Sequence, residues 1–266
     1  MCSSGRGIIM QQEHAHLGKG EKEARIGLDS EQDIIDRINN DEKFHSAIKS
    51  NLIQLGFNVG EKMKARKNDI KADIFIQINE QEEVGASIKS SEKTSFHQLD
   101  RRRLEVWKEI LGMPDDVFEI IKASILRVTR DHRAKFILEE ERDKIKDFFL
   151  KHIPEVIDEI FRRSEERLKL LIIVDLQKRK LYMFRMDEVI EFLSKDARDI
   201  SFTHKGIIQL GRFITIQRKG GNGKHVTIPK TDWKHPGNQL QFKFSPLKFA
   251  EYVESASPIK FGVVDY

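Results

Sequence analysis

Two carboxylates, a hydroxyl and a lysine have types and spacing that could bring chemistry to one place. From residue 70 to 78, Ile70, Ala72, Ile74, Ile76 and Ile78 alternate with Lys71, Asp73, Phe75 and Gln77, the period of two that marks a β-strand. After a polar turn over 79–83, Val84, Ala86 and Ile88 alternate with Gly85, Ser87 and Lys89, so the two segments predict a hairpin. Alternate residues share a face, which groups Asp69 with Asp73 on one strand and Ser87 with Lys89 on the other. Hard divalent cations take oxygen ligands such as carboxylates. A lysine beside such a cation can orient and deprotonate a water and can neutralise charge building on a phosphorus centre. The set is therefore suited to metal-assisted hydrolysis of a phosphodiester. An aspartate and a lysine on neighbouring strands also occur in ordinary surface hairpins, so support has to come from elsewhere in the chain.

The elements that must position these residues read as mixed α and β. Ser30 before Glu31, Gln32 and Asp33, then Ile34, Ile35 and Ile38, predicts an N-capped helix over 30–40, followed by a second over 42–55 that ends at Gly56. Glu31 at that helix start is an acid favoured by the helix dipole. From 99 to 163 the periodicity is helical, with Leu104, Trp107 and Leu111 on one face and Pro114 and Pro154 as punctuation, predicting a layer of three or four helices. Strands are predicted at 170–174, 180–184, 212–218 and 239–243, with a helix at 186–194. Residues 1–27 read as a flexible N-terminal tail.

Composition narrows the class. With 266 residues, 39% of them hydrophobic, the chain has enough apolar material for a substantial core. The run Leu170–Val174 is far too short to cross a bilayer and the N-terminus lacks an apolar signal core, so a cytoplasmic location with no membrane partner is expected. The single cysteine, Cys2, allows neither a disulfide framework nor a thiolate zinc site. His97, His132, His204, His225 and His235 have no metal-ligand spacing. The net charge is only +4, but between Arg212 and Lys243 seven basic residues face one acid, Asp232. Such a stretch is either a polyanion contact or a solvated face.

Longer runs carry a resemblance. Ser30 to Ile34 with Asp36 and Arg37, Asn68-Asp69-Ile70, Ile88-Lys89, Phe96 to Asp100, Thr215 to Gly221 and Asn238 to Lys243 resemble the type II restriction endonucleases of the PD-(D/E)xK superfamily. The likeness is to the monomeric HinP type that cuts GCGC and, more distantly, to the MspI type that cuts CCGG. It covers most of the chain, from about 18 to 246. Two positions depart from the superfamily motif: Asn68 stands for its proline, and Ser87 for its second acid. In the GCGC cutters the position matching Ser87 is itself a neutral glutamine.

The resemblance implies an α/β, mixed α+β fold with a central mixed sheet flanked by helices, a catalytic region over 28–163, and a DNA-recognition region with its own sheet over 164–266. It implies Mg²⁺ as cofactor, bound directly by Asp69 and by the Ile88 carbonyl, with Lys89 acting on the water and Ser87 contributing a hydroxyl. Asp73 ranks as an additional ligand or a supporting residue, and Glu31 on the first helix as a further candidate for a second metal position. Double-stranded DNA is the implied partner, and a cognate methyltransferase would protect the same site. Reading GC pairs requires Arg or Lys against guanine and amides or acids against cytosine. Gln98, Gln217, Arg218, Lys219, Asn222, Asn238, Gln241 and Lys243 supply these groups, and Gly220 lets backbone approach base edges. Two other readings use the same residues: a repair-type nuclease of the superfamily, and a DNA-binding protein with a dead nuclease fold.

Overall fold

The computed structural model describes residues 19–68, 72–219 and 226–266, with side chains from Arg25 onward. Asp69, Gly220 and Asn222, three of the sequence-selected residues, lie outside the described residues, as do residues 1–18 of the expected 1–27 tail, whereas residues 19–27 are helical and correct that expectation. Contacts divide the chain into two compact units that interleave along the sequence. One comprises 1–93, 167–183 and 262–266, the other 94–166 and 184–261.

The first unit is built on a six-stranded mixed sheet in the order β1-β2-β3-β5-β6-β11. Its strands are β1 (Lys64–Lys67), β2 (Ile74–Gln77), β3 (Glu83–Ser91), β5 (Leu168–Asp175), β6 (Lys180–Arg185) and β11 (Gly262–Asp265). The hairpin read from sequence is β2 and β3, antiparallel with Ile74 opposite Ala86 and Gln77 opposite Glu83. The first strand is shorter than its alternation suggested, because the chain bends at Ala72 and Asp73. On its other side β3 runs parallel to β5, with Ser87 opposite Leu171 and Lys89 opposite Ile173. Helices α1 (Lys19–Asn40) and α2 (Glu42–Gln54) contribute Ile34, Ile38, Phe44, Ile48 and Leu52 to one apolar cluster with Ile74, Ile76, Val84, Ala86 and Ile172. The first helix thus begins well before the expected residue 30. Asn39 of α1 exchanges two hydrogen bonds with the backbone of Ala65, each 2.9 Å, so a helix side chain satisfies part of the otherwise open edge of β1.

The second unit holds a five-stranded antiparallel sheet, β4-β10-β9-β8-β7. These are β4 (His97–Arg102), β7 (Ile200–Phe202), β8 (Ile208–Leu210), β9 (Ile214–Arg218) and β10 (Leu240–Phe244). Its helices are α3 (Leu104–Leu111), α4 (Asp115–Arg130), α5 (Arg142–Phe161), α6 (Met186–Asp196) and α7 (Pro246–Ala256). Residues 97–102 correct the expectation of helix from 99 onward. Asp100 of β4 is buried and binds Arg102 and Arg163, while Arg102 also reaches Glu159 at 2.6 Å. This ionic network holds an extended segment that polarity alone could not distinguish from a helix start. Pro154 does not end a helix either. It sits exposed inside α5, where solvent can meet the carbonyl left without a donor, and eight buried residues along α5 hold the helix together. The connection from β8 to β9 turns at Gly211, with φ of +56°, where a Cβ would stand 2.1 Å from a carboxylate oxygen of Asp196.

Trp107 is the largest fully buried side chain of α3, its ring 4.5 Å from that of Phe242 on β10 and beneath the Arg102 guanidinium at 4.3 Å. Among the described residues, no helix is long and apolar enough to cross a membrane. Trp107→Ala is expected to cost about 3–5 kcal/mol of stability, whereas Ile53→Ala on an exposed face should change it by less than about 0.5 kcal/mol. Chemical denaturation of the two variants checks this, and equal effects would contradict the assigned packing.

Candidate functional site

The chain bends immediately before β2, and the bend turns Asp73 toward the neighbouring strand. Its backbone N–H still continues the ladder, donating to the Ala86 carbonyl at 2.9 Å. Its Oδ2 accepts from three donors of β3: the Ile88 N–H at 2.5 Å, the Ser87 hydroxyl at 3.1 Å and the Lys89 ammonium at 3.3 Å. The Lys89 Nζ also donates to Ser87 Oγ at 2.7 Å and to the Ile88 carbonyl at 2.8 Å. One ammonium therefore gathers a carboxylate, a hydroxyl and a carbonyl. Ser87 is buried, and the Asp73 and Lys89 side chains keep about a quarter of their surface exposed.

Glu31 of α1 belongs to the same electrostatic neighbourhood. Its carboxyl is pushed above the ordinary carboxylate range, first by burial and then by the Asp73 charge, with Lys67 and Lys89 acting in the opposite direction. Two carboxylates whose charges repel, together with a backbone carbonyl and a hydroxyl, form an all-oxygen donor set of the kind hard divalent cations take. The residues fit such an ion: Asp73, Glu31 and the Ile88 carbonyl could hold it, with Ser87 beside them. The sequence-selected residues Asp73, Ser87, Ile88 and Lys89 thus meet within the first unit, with Glu31 in electrostatic reach of Asp73 and Lys89.

The second unit sorts its polar residues by strand parity. On β10, Gln241 pairs with Gln217 of β9 on one side and Arg101 of β4 on the other. Lys243 pairs with Thr215 and with Gln98 across a bulge, and Thr215 in turn with Gln209 of β8. These alternate positions share one face, and Gln241 donates to the Gln98 side-chain oxygen at 2.8 Å. The opposite parity, Ile214, Ile216, Leu240, Phe242 and Phe244, is buried. The result is a sheet with an apolar face and a face bearing Gln98, Arg101, Gln217, Gln241 and Lys243.

Arg218 belongs to the other parity. Its Nε and Nη2 each donate to the Asn238 side-chain oxygen at 3.2 Å, and Asn238 is fully buried. Sequence reasoning treated Asn238 as a base-reading amide, but the structure uses it inside the protein. Lys219 lies close enough to Arg101 and Arg218 that, after burial, their charges lower its ammonium pKa. Arg101, Arg218 and Lys219 thus gather in one neighbourhood. Arg102 is committed to Asp100 and Glu159.

A family model, R.HinP1I restriction endonuclease, matches residues 59–249, which spans the β2–β3 hairpin and strands β9 and β10. The chain belongs to this restriction endonuclease family. The fold is similar to that of the restriction endonuclease MspI, solved in complex with its cognate DNA, with a TM-score of 0.58 and 16% identity over 91% of this chain and 100% of that one. No curated protein sequence matches the chain.

For this restriction endonuclease, sequence reasoning missed several residues that hold the site. His235, noted in the sequence only for lacking metal-ligand spacing, is buried, and its Nδ1 accepts the Gly237 N–H at 2.9 Å. Trp233 donates to Glu105, and Arg103 donates to the Trp233 carbonyl at 3.1 Å, which clasps the 226–238 segment to the start of α3. None of these pairings has a short-range signal. Burial first, then Arg218, Lys230 and Lys219, hold the His235 pKa below the ordinary histidine value, with Asp232 opposing. A depressed histidine pKa means that the unfolded chain binds the proton more readily, so stability is lost as pH falls below about 6.5. His235→Asn, which retains an acceptor for Gly237, should flatten the fall in melting temperature between pH 7 and 5. Parallel pH profiles for variant and wild type would contradict this placement of His235.

Proposed function

We propose that this restriction endonuclease makes Mg²⁺-dependent double-strand cuts in DNA at a short GC-rich site, with GCGC the first choice, by hydrolysis of phosphodiesters. The observation that carries the reading is the convergence of Asp73, Ser87 and Lys89 on the β2–β3 hairpin in a chain of this family. Asp73, Glu31, the Ile88 carbonyl and, from outside the described residues, Asp69 would hold the cation. When bound, Mg²⁺ supplies Lewis-acid polarisation of the phosphate and a lower pKa for water. Lys89 orients the attacking water and stabilises the charge that grows on the phosphoryl oxygens. Ser87 and Asp73 hold the Lys89 ammonium in place. Water adds to phosphorus, the bond to the leaving oxygen breaks, and that oxygen takes up a proton.

The similar enzyme MspI is solved on its cognate DNA, and duplex DNA is the partner proposed here, a methyltransferase protecting the same site. The face bearing Gln98, Gln217, Gln241 and Lys243 supplies amides and a cation for base edges. Arg218 is assigned to a guanine, and Lys219 with Arg101 to phosphates. Asp73 is bonded to Ser87 and Lys89 and joins Asp69 as a candidate carboxylate for the cation.

Plasmid incubated with Mg²⁺ tests the reading: discrete bands are expected. Random nicking would indicate a repair-type nuclease, and a mobility shift without cutting a DNA-binding protein that has lost catalysis. Lys89→Ala should lower the cleavage rate on the order of a hundredfold to ten-thousandfold while keeping target binding. Asp69→Asn and Asp73→Asn decide the carboxylate, because the direct ligand is the one whose loss removes metal-dependent cutting. Ser87→Asp should stay folded and alter the preference between Mg²⁺ and Mn²⁺. Unchanged metal titrations would remove Ser87 from the site.

A further inference from the structure

We propose that Asn238 is a positioning residue that locks one edge of the Arg218 guanidinium and so presents its other end for a bidentate guanine contact, an inference resting on the assignment of Arg218 to DNA. The carboxamide is fully buried and completely used. Its oxygen accepts from Arg218 Nε and Nη2, each at 3.2 Å, and lies 2.9 Å from the Thr129 hydroxyl. Its nitrogen donates to the carbonyls of Lys230 at 3.0 Å and Asp232 at 2.7 Å. Turning the amide over would set its NH₂ against a guanidinium and its oxygen against two carbonyls, so only one orientation satisfies the site. Thr129 comes from α4, where its hydroxyl also reaches the Ile125 carbonyl at 2.8 Å. Asn238 therefore ties a rigid helix, the 230–235 turns and the end of β9 into one frame.

The consequence falls on Arg218. A guanidinium has five N–H groups in a fixed plane, and the contact with Asn238 takes the Nε–Nη2 edge. The Nη1 group and the outward proton of Nη2 remain as a parallel pair, the geometry that matches guanine O6 and N7. The partner that fixes the group is a neutral amide, which leaves the positive charge uncompensated. Burial is the cause that lowers its pKa, and among the described residues no carboxylate is paired with it. Gly237 forms the adjoining wall: a Cβ there would lie 3.3 Å from Arg218 Nη2 and 3.0 Å from His235 Nδ1. An arginine held this way meets DNA without first giving up rotamer freedom, and preorganisation of that kind strengthens discrimination without adding a contact.

The test compares binding, in Ca²⁺ without cleavage, to the target duplex and to one with a single substituted base pair, for wild type, Arg218→Ala, Asn238→Ala and the double variant. Arg218→Ala and Asn238→Ala should each lower the target-to-substituted ratio by about tenfold or more, and the double variant should lose no more than Arg218→Ala alone. Asn238→Ala should keep the wild-type salt dependence, because the Arg218 charge is still present, whereas Arg218→Ala should not. Trp233→Phe, which loosens the same segment elsewhere, should leave the ratio unchanged. If Asn238→Ala does not fold, Gly237→Ala, which crowds the guanidinium from its other side, should lower the ratio in the same way. An unchanged ratio in Arg218→Ala would refute the assignment of Arg218 to DNA. A loss in Arg218→Ala with none in Asn238→Ala, an additive double variant, or an equal loss in Trp233→Phe would overturn the positioning role.

Discussion

One carboxylate oxygen organises the first unit. Oδ2 of Asp73 collects a backbone N–H, a hydroxyl and an ammonium from three consecutive residues of β3, and that arrangement requires the two strands to hold one register. Slipping β2 by a single residue would turn Asp73 to the other face and bring Ile74 toward Lys89. The register is secured from both sides. Ile74 and Ile76 are buried against Val84 and Ala86, and β3 is pinned again by its parallel pairing with β5. The apolar cluster that stabilises the sheet is thus the same one that fixes the geometry of the polar site.

Electrostatic tension accompanies this geometry. Burial and then the Asp73 charge push the Glu31 carboxyl above the ordinary carboxylate range, and the ammonium of Lys89 is held among a carboxylate, a hydroxyl and a carbonyl. Functional sites commonly retain interactions that lower stability in the isolated protein, because the missing charge arrives with the ligand. The second unit shows the same tension with opposite sign. Arg101, Arg218 and Lys219 lie close together, and Arg218 is held by an amide rather than an acid. A polyanion would relieve that repulsion.

Parity divides the second unit's polar residues in a way that composition cannot express. Gln217 and Arg218 are adjacent in sequence, yet one lies on the amide-bearing face of the sheet and the other turns toward Asn238. Gln98 and Gln241, 143 positions apart, share a hydrogen bond. What reads as one list of suitable side chains is physically a sheet face plus a separately framed arginine at the end of β9.

The sequence by itself determined the β2–β3 hairpin, the grouping of Ser87 with Lys89, and the core faces of helices such as α3, because periodicities of two and 3.6 residues follow from backbone geometry and need no partner. It also carried the family, through runs long enough to be specific. Only the tertiary structure decided that residues 97–102 form a strand, since their polarity is explained by pairing with β10 and by Asp100 binding the distant Arg163. Strand β1 was illegible for a related reason: Lys64–Lys67 has one inward residue, Ala65, and its extended form depends on β2 and on Asn39 of α1. The contacts of Asp73 with Ser87 and Lys89, and of Asn238 with Arg218, were likewise decided in three dimensions. Sequence spacing gives the face on which a side chain stands, whereas the group that meets it there depends on register, burial and a partner from another element.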